Sequence, residues 1–163
     1  MQLPPFKEHL TDTDPGLIEA LVRSTGFFSP EEINIARELA DDGQLNRDDG
    51  HYRFVLMEND YQLGAYACFG RIPGTLSAWD LYWIVVAPEL QSRGLGQRIL
   101  HRVEERVRAD GGDQLYAETS SRQQYTSTRA FYSRCGYQQA AAFPDFYAPG
   151  DDKIVYVKRL RDP

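Results

Sequence analysis

The residues with the clearest chemistry form a glycine-containing turn between an apolar run and a helical pattern. The apolar run is WDLYWIVV at 79–86, and the turn follows as Gln91-Ser92-Arg93-Gly94-Leu95-Gly96. A helix that begins here leaves the N–H groups of its first turn without partners, and its dipole favours negative charge at that end. Glycine lets a ligand approach the backbone closely. The turn therefore predicts an anion site suited to a pyrophosphate.

Two common nucleotide-binding loops do not fit this turn. It lacks the Gly-Lys-Ser/Thr sequence of a P-loop. After Gly94 and Gly96, the third glycine of a dinucleotide-binding fingerprint is replaced by Ile99. The remaining interpretation is a ligand that carries a pyrophosphate but is not bound by a P-loop or a dinucleotide-binding fingerprint.

A second motif further along the chain supports such a ligand. Residues 91–96 (QSRGLG) follow the pattern Gln/Arg-x-x-Gly-x-Gly/Ala, and residues 128–137 (TRAFYSRCGY) contain an aromatic-Tyr-x-x-x-Gly-aromatic run. In this order the two runs resemble the acetyl-CoA motif and the second motif of the GNAT N-acetyltransferase superfamily. The resemblance covers roughly residues 50–160. Residues 1–45 match only in being helical, in a region that varies with substrate in this superfamily.

The resemblance implies a fold and a domain organisation. We expect an α+β fold with a central mixed, mostly antiparallel sheet of six or seven strands, splayed between strands 4 and 5 and flanked by about four helices. Residues 1–163 would form a single acetyltransferase domain. Within it, 1–45 is the variable substrate-side region, 79–110 the acetyl-CoA loop and helix, and 114–137 the second motif.

Periodicity and turn residues predict the elements independently. Helices are predicted from Asp14 to Gly26, from Ser29 to about Gly43, from Gly94 to Gly111 and at about 124–134. Strands are predicted at 52–57, 62–70, 79–87, 114–119, 137–143 and 153–159, the first three as an antiparallel meander. The polar tract from Asp41 to Gly50 is predicted to be an exposed loop.

The resemblance also implies which residues bind acetyl-CoA, the expected cosubstrate. Backbone groups of Ile84, Val85 and Val86 would contact the pantetheine arm, much as an added strand pairs with a sheet. The N–H groups that would hold the pyrophosphate belong to Gln91, Ser92, Arg93, Gly94, Leu95, Gly96 and Gln97. Arg93 would add a side-chain charge, and Thr128 and Tyr132 would complete the contacts. No metal is expected.

Acetylation of an amine needs a group that removes a proton from the ammonium and one that protonates the departing thiolate. Tyr132 matches the tyrosine acid of the superfamily; the alternative is an aromatic residue that only anchors its helix. Asp80 lies eleven residues before Gln91, where histone-type members carry a glutamate base. Its shorter side chain would need a bridging water, and a solvated carboxylate at a strand start is the alternative. Glu118 is the competing base or amine-binding carboxylate, ranked below Asp80.

Composition limits the partners and the compartment. The 18 basic and 24 acidic residues give a net charge of -6, which disfavours nucleic acid and suits a cationic substrate. No apolar run approaches the ~20 residues of a membrane span. With only Cys68 and Cys135, no disulfide framework is expected, and a cytoplasmic location follows. His9, His51 and His101 lack metal-ligand spacing. A homodimer is left open.

Two functions remain in competition. The first is an N-acetyltransferase that moves the acetyl group of acetyl-CoA to a primary amine by direct attack in a ternary complex. The second is a non-catalytic acetyl-CoA-binding sensor or regulatory subunit. Tyr132, Asp80 and Glu118 favour the first. The acceptor amine, on a protein lysine or N-terminus, a polyamine, an amino acid or an aminoglycoside, is left open, as is a water molecule as the base.

Overall fold

The computed structural model describes residues 5–47, 50–59 and 62–161. Within these ranges the chain forms four α-helices and seven strands. The helices are α1 (Asp14–Ser24), α2 (Pro30–Asn46), α3 (Leu95–Ala109) and α4 (Thr126–Arg134). None of the helices in the described ranges combines the length and the apolar character that a membrane span requires.

The strands belong to one seven-stranded sheet of order β1-β2-β3-β4-β5-β7-β6. They are β1 (Phe6–Lys7), β2 (Arg53–Asn59), β3 (Gln62–Arg71), β4 (Ala78–Val86), β5 (Gln114–Ser120), β6 (Gln138–Ala148) and β7 (Asp151–Arg159). β4 and β5 run parallel, whereas β1–β2, β2–β3, β5–β7 and β6–β7 are antiparallel. The predicted mixed, mostly antiparallel sheet is confirmed.

The pairing of β4 with β5 ends before either strand does. It runs from Ala78 opposite Gln114 to Leu81 opposite Ala117, although β4 continues to Val86 and β5 to Ser120. Among the described residues, the parallel ladder thus extends no further than Leu81 and Ala117, which is the pairing pattern expected of a sheet splayed between strands 4 and 5.

The chain divides into two compact units. The first comprises Met1–Gly70 and Trp83–Glu105, and the second comprises Arg71–Tyr82 and Arg106–Pro163. In the first unit, buried side chains of α1 and α2 such as Ile18 and Ala36 share a core with Leu56 and Tyr66 of the strands. In the second unit, β5, β7 and β6 form an antiparallel sheet beside α4.

The helix α2 begins with a capping box. The hydroxyl of Ser29 accepts a hydrogen bond from the N–H of Glu32 at 3.2 Å, and the Glu32 carboxylate accepts one from the N–H of Ser29 at 2.7 Å. Pro30 occupies the first turn, where its missing N–H has no consequence. Such a cap stabilises a helix by about 1 kcal/mol. It explains why the predicted start of this helix matches the structure.

The predicted end of α2 is wrong. The sequence predicts a loop from Asp41 to Gly50, but the helix continues to Asn46, and residues 48–49 lie outside the described ranges. Gly43 is buried, and a Cβ there would lie 2.2 Å from Cε2 of Phe54. The glycine therefore allows close packing of the helix on β2 and does not end the helix.

Two strands also differ from prediction. The two-residue strand β1, which pairs with Met57 and Leu56, is absent from the predicted elements. The prediction ends β6 near residue 143, but the strand continues to Ala148, past Pro144. Its register with β7 is irregular between Phe143 and Ala148, which is how a strand accommodates a proline and an inserted segment.

Candidate functional site

The turn that follows β4 is held by hydrogen bonds within the first unit. The N–H of Ala87 donates to the carbonyl of Gly64 at 2.8 Å, and the side-chain amide of Gln91 donates to the carbonyl of Val86 at 3.2 Å. Between them, Pro88–Leu90 forms a 3-10 turn. These bonds fix the path of the backbone from the strand into the glycine-containing turn.

Two residues of this turn have left-handed backbone conformations. Ser92 has φ = 62° and Gly94 has φ = 79°. Glycine adopts such angles readily, whereas for serine the cost is roughly 1–2 kcal/mol. A Cβ placed on Gly94 would meet no atom within 4 Å, so open space adjoins the backbone at this position. Strained backbone beside open space is typical of a ligand-binding turn.

The start of α3 provides the backbone donors. The first bond of the helical pattern runs from the N–H of Arg98 to the carbonyl of Gly94, at 3.1 Å. The N–H groups of Leu95, Gly96 and Gln97 therefore precede the helical ladder, at the positive end of the helix dipole. Leu95 is buried and anchors this end. The turn and helix start together fit a pyrophosphate, and exposed Arg93 adds a positive charge.

The segment of β4 before the turn is only partly covered. Ile84 and Val86 are half-buried, whereas Val85 is buried. This alternation is that of a strand with one face in the core. The structure thus places these three residues in regular strand directly before the turn, as the sequence predicted.

In the second unit, the two candidate carboxylates project from the same face of the sheet. Asp80 lies opposite Tyr116 in the parallel pairing, and Glu118 follows Tyr116 by two residues on β5. Alternation puts all three side chains on one face. Asp80 is half-buried, and the Glu118 side chain is 47% exposed. The structure therefore places the two carboxylates on one face of the second unit's sheet, on neighbouring strands.

Glu118 has a partner that the sequence did not reveal. The ammonium of Lys153 lies 3.2 Å from Oε1 of Glu118. The same ammonium lies over the ring of Phe146 at 4.5 Å and over that of Phe143 at 5.5 Å from the ring centroids. One cation is thus surrounded by a carboxylate and two aromatic faces. Phe143 and Lys153 are directly opposite in the β6–β7 register.

The tip of the β6–β7 hairpin, residues 144–150, is fixed by side chain to backbone hydrogen bonds. The N–H of Asp145, a residue with φ = 55°, donates to the Asp152 carboxylate at 2.9 Å. The N–H of Gly150 donates to the Asp145 carboxylate at 2.7 Å, and the N–H of Asp152 donates to the hydroxyl of Ser121 at 2.8 Å. These bonds define the conformation of the segment that carries Phe146.

Tyr132 is buried on α4, with 4% of its surface exposed. Its ring packs against those of Tyr137 and Tyr156, at centroid distances of 5.7 and 5.6 Å. Burial, with a smaller contribution from Cys135, raises the pKa of the Tyr132 phenol well above its ordinary value. The hydroxyl therefore stays protonated at neutral pH, which is the state that a general acid requires.

Tyr132 and the two carboxylates lie on opposite faces of the second unit's sheet. Tyr156 is paired with Ala117, and Ala117 and Glu118 point to opposite faces because they are successive residues of one strand. Tyr132 packs on the side of Tyr156. Thr128, one turn before Tyr132 on α4, is half-buried.

The start of α4 is tied to the end of β5 by a network that sequence reasoning missed. The Arg129 guanidinium donates to the carbonyls of Ser120 and Arg122, at 2.6 and 3.0 Å. The Ser120 hydroxyl donates to buried Asp151, which also pairs with Arg122 at 3.2 Å. These contacts orient the helix that carries Tyr132. The residues that these contacts join are distant in the sequence. The only sequence signal for the network is that Ser120 lies at the predicted carboxyl end of a strand.

Within the described ranges, no group of three or more His, Cys, Asp or Glu side chains is arranged to hold a metal ion. Cys68 is buried and Cys135 half-buried, and neither forms a disulfide.

Comparison with known proteins identifies the family independently of the geometry of the site. The model of the acetyltransferase (GNAT) family matches residues 17–137. Among curated proteins, no significant sequence match was found.

Several solved structures share the fold. A protein from Desulfovibrio desulfuricans that is assigned to the GNAT family is 41% identical, with 96% of this chain and 99% of that chain covered and a TM-score of 0.94. An aminoglycoside 6'-N-acetyltransferase complexed with coenzyme A is 16% identical, with 98% of both chains covered and a TM-score of 0.78. A ribosomal-protein-alanine N-acetyltransferase from Escherichia coli is 18% identical, with 98% and 96% covered and a TM-score of 0.74.

At 16% and 18% identity, the last two structures show similarity of fold alone. One is named for an aminoglycoside acceptor and the other for an alanine of a ribosomal protein. The match of the family model to most of the chain, together with the 41% identity to the Desulfovibrio protein, shows that the chain belongs to the acetyltransferase (GNAT) family.

Proposed function

We propose that the protein transfers the acetyl group of acetyl-CoA to a primary amine by direct attack of the amine on the thioester in a ternary complex. The observation that carries this proposal is the start of α3, where the N–H groups of Leu95, Gly96 and Gln97 precede the helical ladder beside the left-handed, open backbone of Gly94. A structure of the same fold, an aminoglycoside 6'-N-acetyltransferase, was solved with coenzyme A, which supports the same ligand here.

The cosubstrate would be held mainly by backbone groups of the first unit. The N–H groups of residues 92–97 would bind the pyrophosphate, and the exposed Arg93 would add charge. The expected donor Gln91 differs, because its N–H already donates to the carbonyl of Pro88 at 3.4 Å. Backbone groups of Ile84, Val85 and Val86 would pair with the amides of the pantetheine arm. Acetyl-CoA itself supplies an activated acyl group as a thioester.

Asp80 is the proposed base. It would take the proton from the ammonium of the acceptor, directly or through one water, so that the neutral amine can form the new C–N bond as the C–S bond breaks. Glu118 is engaged by Lys153 at 3.2 Å, which suits a role in binding a cation better than one in accepting a proton. Asp80 stays ahead of Glu118 because of its place eleven residues before Gln91.

Tyr132 is the proposed acid. The phenol carries its proton at neutral pH, and because burial raises its pKa, a phenolate formed by donation to the thiolate would take up another proton at once. The hydroxyl would donate that proton to the sulfur, and the network at Arg129 would hold its helix in place. The nitrogen loses a second proton as the tetrahedral intermediate collapses to the amide, and that proton would restore the Tyr132 phenol after it has protonated the thiolate. The proton taken by Asp80 would leave to solvent, so the net products are the amide, free coenzyme A and one proton.

The test is amine-dependent release of free coenzyme A. The purified protein, acetyl-CoA and a panel of primary amines are combined, and both free thiol and the acetylated amine are measured. We expect equal amounts of the two products with at least one amine and none without amine. Tight acetyl-CoA binding with no transfer to any amine would instead indicate the non-catalytic sensor.

A further inference from the structure

We propose that Glu118, Phe143 and Phe146 form a binding site for the acceptor's ammonium group, and that Lys153 occupies this site until an acceptor displaces it. The acceptor class that follows is an unbranched primary alkylammonium. This proposal rests on the proposed function in one respect, which is that the bound amine is called an acceptor. Binding of the amine itself requires no catalysis.

The geometry is that of an ammonium site. The Lys153 ammonium lies 3.2 Å from the carboxylate of Glu118 and over two rings, at 4.5 Å for Phe146 and 5.5 Å for Phe143. A carboxylate supplies the opposite charge, and the negative faces of aromatic rings attract a cation without competing for its remaining hydrogens. Proteins use this combination to recognise ammonium ligands.

The two rings of the site lie partly at the surface. Phe143 and Phe146 are 47% and 56% exposed, far more than an aromatic residue of the core. The Lys153 side chain is only 18% exposed, so the lysine is the covered member and the rings form the outer wall. An external ammonium could reach the same ring faces and the same carboxylate if Lys153 moved away.

The contacts of Lys153 are weak enough to be exchanged. Glu118 is 47% exposed, and ion pairs with a solvated partner contribute little to stability. Lysine carries its charge on a flexible stem of four methylene groups, so the ammonium can leave without a change of backbone. Once Lys153 leaves, Glu118 and Asp80 remain as two carboxylates on one face of the sheet, and the attraction for a cation increases.

The identity of the internal occupant indicates the acceptor. The cation found in the site is a primary ammonium at the end of an unbranched alkyl chain. The rings of Phe143 and Phe146 offer apolar contact for such a chain and no hydrogen-bond acceptor for hydroxyl groups. A linear alkylamine, free or as the side chain of a peptide lysine, therefore fits better than a polyhydroxylated amine.

The test is equilibrium binding of n-butylammonium to the full chain without acetyl-CoA, followed by chemical-shift changes in NMR spectra. Lys153→Met keeps most of the stem and removes the competing ammonium. We expect its Kd for butylammonium to be at least about fivefold lower than that of wild type. The reason is that Lys153 occupies the wild-type site most of the time, and an occupied site weakens the apparent affinity in proportion to the fraction that is vacant. Lys153→Gln serves as a second variant of the same kind.

The matched control is Lys158→Met, a lysine of the same strand whose ammonium lies 5.6 Å from the Tyr137 ring centroid on the opposite face. Its Kd should equal that of wild type. In the Lys153→Met background, Phe146→Leu and Glu118→Gln should each raise the Kd. Unchanged or weaker binding by both Lys153 variants would overturn the proposal, as would an equal gain in Lys158→Met. Absence of acetyl transfer would count against the proposed function alone.

Discussion

The two regions proposed to act in the reaction recognise their ligands by different means. The cofactor turn, residues 84–97, presents main-chain N–H groups of a strand end and a helix start. The acceptor face, Asp80, Glu118, Phe143, Phe146 and Lys153, presents side chains from four strands of the second unit. Main-chain recognition depends on the backbone path, whereas side-chain recognition changes with each substitution. One fold can therefore keep its cofactor while its acceptor varies.

The largest expected effect lies on the acceptor face, at the proposed base. A base must be deprotonated to act, so kcat/KM should rise with pH through its pKa. Asp80→Asn should lower kcat/KM by about 10²–10⁴-fold near neutral pH and flatten the acid limb, because the group that titrates is gone. Acetyl-CoA affinity should change little. The measurement is the pH profile of kcat/KM with an accepted amine.

The comparison variant for this prediction is Glu118→Gln. If Glu118 binds the ammonium, its loss should raise KM for the amine and leave the shape of the pH profile intact. A flattened acid limb in Glu118→Gln, with a normal profile in Asp80→Asn, would reverse the ranking of the two carboxylates.

The next effect concerns Tyr132, which belongs to neither region and packs on the opposite side of the sheet from the acceptor face. Tyr132→Phe keeps the ring and removes the proton, and should slow acetyl transfer in a single turnover by about 10²-fold, the lower end for general acids. Since burial raises the pKa of Tyr132, its ionisation should not limit the wild-type rate near neutral pH.

Tyr156→Phe is the control for Tyr132, because Tyr156 is similarly buried and its ring lies 5.6 Å away. Its transfer rate should match wild type. A single-turnover rate of Tyr132→Phe within about twofold of wild type would make Tyr132 a packing residue.

The smallest of the three effects tests the cofactor turn. Valine at position 94 would be strained at φ = 79° and would fill the open space beside the backbone. Gly94→Val should weaken acetyl-CoA binding by more than tenfold, or about 1.4 kcal/mol, as measured by calorimetry. Gly74→Val is matched, since Gly74 has φ = 78° and a Cβ added there would also meet no atom within 4 Å.

Gly74→Val should lose similar stability and keep its affinity for acetyl-CoA. Equal affinity losses in the two variants would show that backbone strain acts through global stability, and unchanged affinity in Gly94→Val would refute the assignment of the turn.

The elements around the cofactor turn are predictable from the sequence because local signals suffice there. An apolar strand, a glycine turn and an amphipathic helix follow one another without interruption, from Ala78 to Ala109. The errors occur where tertiary contacts override local signals. Gly43 predicts the end of α2, yet it is buried against Phe54 and the helix continues. The strand β1 is two residues long and has no periodicity to detect.

The acceptor face could be predicted only in part. Asp80 and Glu118 are identifiable from their places relative to the motifs, but the pairing of Glu118 with Lys153 joins β5 to β7 across a helix and a strand. Phe143 opposite Lys153 follows from the hairpin register, which the irregular segment up to Ala148 conceals in the sequence. Side-chain sites assembled from distant strands give no contiguous pattern.

The tip of the β6–β7 hairpin bears on the entropy of binding. Asp145 and Asp152 fix the backbone around Phe146 through bonds of 2.9 and 2.7 Å to N–H groups, although the surrounding side chains are exposed. An exposed segment normally loses conformational freedom when a ligand orders it, and that loss weakens the complex. Here the ordering accompanies folding of the chain. A small amine with few contacts can therefore be retained by a surface that would otherwise be too mobile to select it.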